Sequence, residues 1–337
     1  MNLACRRNTA TIIVCLTVAA CAASRRPALG PAAVAQLTLA DVPDAIAVTP
    51  DSEKAYVTAR GKIYVVAPAD GTLLATIPLP TAPRALALSP DATRLFVADF
   101  AELQLTVIDT TRDTVVQRVP IGHDGVPWEA APSVLAVSPD GTTVYVGAPG
   151  TSQLWAIDSA RPETQRSTTL NVLPGGVTVS PAGTAVYVTG CPQGCLKGEL
   201  AAYDPVSLQR RAALGLPVPA TRTLVAPQGD RAYVLERTAN NVAVVDPRGP
   251  RVVGTIATGN HTGDIALAPD GAFLYATSFG DRRLLVIDTA TRSVVAMAPL
   301  LTGPRGIAAS PDGRFVLVTA GLDELVVFDA AALRRGR

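Results

Sequence analysis

Two histidines, two isolated carboxylates and one close pair of cysteines are the side chains of this 337-residue chain best suited to chemistry. His123 lies in Gly122-His-Asp-Gly-Val-Pro-Trp-Glu129 and His261 in Gly259-Asn-His-Thr-Gly263, and no other histidine is present. Asp99 and Glu236 precede them in the chain. A histidine beside a carboxylate can pass a proton or help to hold a metal ion, but only if the fold brings the two together. The plain alternative is that both histidines are exposed loop residues. Cys191-Pro-Gln-Gly-Cys195 suits a disulfide closing a tight loop, if the chain reaches an oxidising compartment. A redox dithiol would more often read Cys-x-x-Cys, and zinc would need more ligands than this loop offers. The chain has no Gly-x-Ser-x-Gly elbow, no His-Glu-x-x-His and no phosphate-binding Gly-x-x-x-x-Gly-Lys. No catalytic residues are assigned.

These residues have to be positioned by something, and the chain repeats itself. A short apolar run, then Ser, Thr or Ala before Pro, then a turn, then an aromatic and Val, recurs at Pro50, Pro90, Pro139, Pro181, Pro227, Pro269 and Pro311. The intervals are 40, 49, 42, 46, 42 and 42 residues. A period of about 40–45 residues with four strands per unit predicts propeller blades. In the sixth copy the expected strands are Asp264–Ala268, Phe273–Thr277, Arg283–Ile287 and Ser293–Met297, called a to d from the axis outward. Pro269-Asp270-Gly271 is the turn between the first two: Pro presets φ, Asp bonds nearby backbone and Gly accepts positive φ.

The copies resemble the YVTN-type β-propeller repeat. Its letters appear as Tyr56-Val-Thr-Ala59, Phe96-Val-Ala-Asp99, Tyr145-Val-Gly-Ala148, Tyr187-Val-Thr-Gly190, Tyr233-Val-Leu-Glu236, Tyr275-Ala-Thr-Ser278 and Leu317-Val-Thr-Ala320, without the final Asn. The companion ending of strand c is seen in Val107-Ile-Asp109, Ile157-Asp158, Tyr203-Asp204, Val245-Asp246, Ile287-Asp288 and Phe328-Asp329, while the first copy has Val66-Ala67. The resemblance spans residues 34–329 and implies an all-β, seven-bladed propeller of four-stranded blades. It says less about activity, because one fold hosts many functions. The repeated aromatic is expected to fill the space between blades, and the repeated Asp to cap the next turn. The last copy has no strand d of its own. Residues 33–39 are expected to supply it, closing the ring and removing open edges.

In this topology the b–c loops and d–a crossovers share one face, here the upper face; the a–b and c–d turns share the other. Loops that vary on a rigid scaffold are where binding concentrates. The upper face is expected to carry Asp99, His123, Trp128, Glu236, His261, Asp264 and Phe279, with the Cys191–Cys195 clip on the fourth blade. Trp128 and Phe279 would be its aromatic anchors. Around the mouth of the channel, strands a begin beside Asp44, Arg84, Arg222, Asp264 and Arg305. That set can receive an anion, or its members can pair with each other.

Residues 1–20 read as a signal peptide: Arg6 and Arg7, then the apolar stretch Thr11–Ala20, too short to span a membrane. Val18-Ala-Ala-Cys21 resembles a bacterial lipobox, so Cys21 is expected to carry a lipid, with residues 22–32 as a tether. Val14 makes Cys15 a poor rival. The alternative is simple cleavage near Ala23, releasing a soluble protein. Ala22 after Cys21, with no Asp, would favour the outer membrane where there are two. The propeller is expected over 33–333 and a solvated basic tail over 334–337. The net charge of +1 offers no basic face for nucleic acid.

Together these observations rank a monomeric, envelope-located binding or scaffolding module for a protein, peptide or glycan first. No cofactor is called for, and a divalent metal stays open. The alternatives are a metal-dependent, lactonase-like hydrolase, to which Asp44 and Asp264 would contribute, or an accessory to a periplasmic redox system. Both rest on fold analogy.

Overall fold

The computed structural model describes residues 30–99, 104–121 and 134–335. Cys21, His123 and Trp128 lie outside the described residues. Each repeat resolves into short strands rich in Val, Ile, Leu, Tyr and Thr, whose shapes suit a pleated surface. The first gives β2 (Ile46–Val48), β3 (Ala55–Ala59), β4 (Lys62–Val66) and β5 (Leu73–Pro78), hydrogen-bonded in that order and antiparallel. Seven four-stranded sheets form in all. The last is completed from the other end of the chain. β26 (Pro304–Ala309), β27 (Phe315–Ala320) and β28 (Glu324–Asp329) accept β1 (Ala33–Thr38) as their outer strand.

The closure is pinned by polar contacts as well as by the ladder. Glu324, at the start of β28, is almost fully buried; its two oxygens accept from Gln36 Nε2 at 3.0 Å and Thr302 Oγ1 at 2.8 Å. Leu39 then drops into the core between the last and first blades, with Val57, Tyr64, Leu317 and Val327.

Seven apolar clusters fill the spaces between neighbouring blades. The repeated aromatic is central to six of them: Tyr56, Phe96, Tyr145, Tyr187, Tyr233 and Tyr275. Strand alternation explains this, because one face of each strand b looks to the preceding blade and the other to the following one. Tyr56 also ties its blade to the next: its hydroxyl donates to Asp113 Oδ1 at 2.6 Å, and Lys54 Nζ reaches Asp113 Oδ2 at 2.7 Å. Tyr145 does the same through Pro205 O at 2.9 Å.

The end of the chain differs from expectation. Residues Ala330–Arg335 form a short helix, α1, whose Ala332 N–H is capped by Asp329. Arg334 is no solvated tail residue. Its guanidinium donates twice to Tyr275 Oη, at 3.0 and 2.8 Å, and lies 4.6 Å from the Phe273 ring centre. Leu333 and Ala330 pack with Ala32 between the sixth and seventh blades, so the lost solvation is offset by contact and cation–π attraction. Among the described residues no helix is long and apolar enough to cross a membrane.

Candidate functional site

On the lower face the repeated polar side chains bond their own turns. Thr49, Ser89, Ser138 and Ser310 donate their hydroxyls to Asp51, Asp91, Asp140 and Asp312 two residues on. At the ends of strands c, Asp109, Asp158, Asp204, Asp246, Asp288 and Asp329 each accept backbone N–H groups of the next turn. The Thr111 hydroxyl and backbone N–H hold Asp109 down at about 2, and the backbone N–H groups of Ser207 and Val206 do the same for Asp204. The repeated Asp is therefore a structural cap.

The upper end of the channel is different. Strand a opens with a β-bulge in several blades, at Pro83/Ala85, Pro174/Gly176, Thr262/Ile265 and Pro304/Ile307. A bulge re-aims side chains. Here two successive tiers form around the axis. The outer tier includes Asp44, Arg84 and Arg305; the inner includes Arg222 and Asp264, at positions where the seventh blade has Gly306. Together with Phe279 they line a cavity of about 650 Å³. Below it a channel cavity of about 420 Å³ runs between strands a, past Ile46, Leu86, Val177, Leu224 and Ile307.

The tiers are held from beneath by threonines of strand b. Thr58, Thr277 and Thr319 Oγ1 accept from the backbone N–H of Ala45, Asp264 and Gly306, at 2.9, 2.9 and 2.8 Å. Thr319 also donates to Asp44 O at 2.8 Å, stitching the last blade to the first. Two glycines permit the close approach. A Cβ on Gly306 would come within 2.2 Å of Asp44 O, and one on Gly176 within 3.1 Å of Arg222 Cα. Sequence reasoning missed the threonines as positioning residues. Their repetition was the signal, but the bulges they support are not written in periodicity.

Within the site, Arg222 Nε stands 3.2 Å from Asp264 Oδ1, which also accepts Ile265 N–H at 2.8 Å. Burial pushes the Asp264 carboxyl above its usual range, and the Arg222 guanidinium opposes that shift. Arg305 is exposed and donates from Nε to Gly321 O at 3.2 Å. Arg84 is exposed and lines both cavities. Phe279 is 51% exposed. Its ring lies against Gly303, where a Cβ would meet ring carbons at 2.4–2.9 Å.

Of the two possible histidine–carboxylate pairs, the one with His123 lies outside the described residues, and His261 and Glu236 are not brought together. His261 is exposed on the crossover into the sixth blade, with φ +53 and its N–H given to Asn240 Oδ1 at 2.8 Å. Glu236, expected on the upper face, is only 2% exposed. It ends β19 (Ala232–Glu236) opposite Asn241. Alternation puts it on the side of Val234 and Ala243, in the interface with the fourth blade. Among the described residues its Oε1 has no hydrogen-bond partner, and burial raises its pKa. Of Asp99 the described part is its backbone at the end of β7 (Arg94–Asp99). Cys191 and Cys195 are joined, with Cα atoms 4.8 Å apart, and the loop beyond them exposes Leu196. Among the described residues no three His, Cys, Asp or Glu side chains gather as a metal site.

No family model matches the chain. It is similar to Antigen Lp49 of Leptospira interrogans, 24% identical over 171 residues, covering 46% of this chain and 38% of that protein. The chain thus spans well under half the length of the curated relative it matches. Among solved structures it is similar to the hydrazine synthase of Kuenenia stuttgartiensis, with a TM-score of 0.74, 19% identity, and 86% of this chain and 96% of that chain covered. At that identity the likeness speaks to the fold alone.

Proposed function

We propose that this propeller is an extracytoplasmic binding module, held to a membrane by a lipid on Cys21, and that it engages its ligand at the upper mouth of the channel. One observation carries the reading. Charged side chains from five blades and an exposed aromatic converge on one cavity at one end of the ring, while the repeated Asp side chains of the other end bond their own turns. Concave sites with a few convergent polar groups are the usual form of ligand sites. The Cys191–Cys195 bridge suits an oxidising compartment outside the cytoplasm, in keeping with the N-terminal sequence. The hydrolase and redox-accessory readings still draw on fold analogy alone.

The test is photo-crosslinking in intact cells. A photoreactive residue replaces Leu322 or Leu196 on upper loops, or Val206 on a lower turn; all three are well exposed. The expected result is a discrete adduct from the upper positions and none from the lower one. Equal labelling from both faces would overturn the reading. In the same cells, Cys21→Ala is expected to move the protein from the membrane to the soluble fraction.

A further inference from the structure

The mouth narrows the choice of ligand beyond the bare statement that something binds there. Three guanidinium groups, Arg84, Arg222 and Arg305, stand against two carboxylates, Asp44 and Asp264, around one cavity. Among the described residues the collar is positive by one charge. Its members come from separate blades and are held by backbone, not by one mobile loop. Asp44 is fixed through Thr319, and the backbone of Arg222 packs against the fourth-blade bulge at Gly176. A site already fixed in place loses little conformational entropy on binding.

Guanidinium groups pair best with planar, two-oxygen anions. A dianionic phosphate would meet two carboxylates at close quarters, and like charges in a partly desolvated cleft are costly. A single carboxylate meets the charge balance. Phe279 adds the second requirement. Its ring is half exposed at the edge of the same cavity and lies against Gly303. It offers a flat apolar surface beside the cations, and aromatics so placed favour a ligand with an apolar face.

We infer that the upper mouth binds an organic monocarboxylate with an apolar or ring-shaped body, the carboxylate lying among Arg84, Arg222 and Arg305 and the body against Phe279. This rests on the proposal that the upper mouth is the binding end. The cavity of about 650 Å³ has room for a ligand of that kind.

The probes are phenylacetate, its uncharged counterpart phenylacetamide, and inorganic phosphate, titrated into the purified full chain by calorimetry. Phenylacetate is expected to bind saturably, with a dissociation constant of about 1 mM or tighter for a ligand of its size. Phenylacetamide and phosphate are each expected to bind at least about tenfold more weakly. Arg305→Gln and Phe279→Ala should each weaken phenylacetate about tenfold or more without shifting the melting temperature by more than a degree or two. Arg112→Gln, on a lower turn, should leave it unchanged. Equal affinity for acid and amide, tighter binding of phosphate, or no saturable binding of phenylacetate would overturn the inference. Because crosslinking from Leu322 needs no knowledge of the ligand, an adduct there with a failed titration would sink only the ligand class. Failure of both would sink the binding end itself.

Discussion

At the lower end of the ring, Asp51, Asp91, Asp140 and Asp312 each take the hydroxyl of the Ser or Thr two residues before them. At the upper end the corresponding starts of strands a carry Asp44, Arg84, Thr221, Gly263 and Arg305, no two neighbours alike. Both ends belong to the same seven-fold scaffold. The repeated lower carboxylates are satisfied within their own turns, so their repetition follows from folding alone. The upper ones break the repeat and share a cavity. Where the repeat holds, folding explains the residue; where it breaks, as at the mouth, folding does not. Asp109 and Asp264 are both carboxylates at a strand end. The first caps a turn in every blade but one; the second is unique to its blade and paired across blades with Arg222.

The contrast presumes a closed ring, so the strongest way to break it is to open the ring. Deleting residues 33–38 strips β28 of its partner and exposes the buried Glu324. We expect loss of a cooperative melting transition, with aggregation in gel filtration, because the strand edge is left unpaired. A truncated chain that melts like the parent would disprove closure. Next in size is a comparison of glycines at the two ends. Gly306→Ala drives a Cβ against Asp44 O and should cost about 2–3 kcal/mol in urea unfolding. Gly229→Ala sits in a lower turn at φ +69 with open space around it, and should cost only about 1 kcal/mol. Equal costs would mean that the upper close approach is not a constraint.

The smallest effect is one of acid stability at the lower face. Asp109 and Asp204 are held at about 2, below the ordinary 3.8. A lowered carboxyl pKa gives stability that is complete above the unfolded value and is lost as pH falls through the folded one. The melting temperature should therefore fall as pH drops from about 4 to about 2, and Asp109→Asn with Asp204→Asn should flatten that slope. An unchanged slope would show that these caps do not titrate as described.

The architecture was legible because its signals are repeated. Seven prolines set the period, six Asp caps marked the ends of strands c, and the missing last strand pointed to residues 33–39. The mouth was legible as a set of positions, since Asp44, Arg84, Arg222, Asp264 and Arg305 hold nearly the same place in each repeat. Glu236 was misplaced for a physical reason. It looks like the first residue of a loop, yet the strand continues through it, and alternation turns it into the interface with the fourth blade. Arg334 looked like part of a charged tail because nothing in the sequence announces that Tyr275, some sixty residues earlier, offers its hydroxyl. Contacts between blades that do not repeat leave no periodic trace.

The central claim is that the mouth, not merely the upper face, is the working end. The most direct test measures the crosslinked adduct from Leu322 in two charge-reversed backgrounds. Arg305→Glu turns the collar negative, and Arg112→Glu makes the same change on a lower turn. The account predicts that the adduct vanishes in the first and survives in the second, with both variants folded and at the same level in the membrane. An adduct that survives Arg305→Glu, or is lost equally in both, would contradict it.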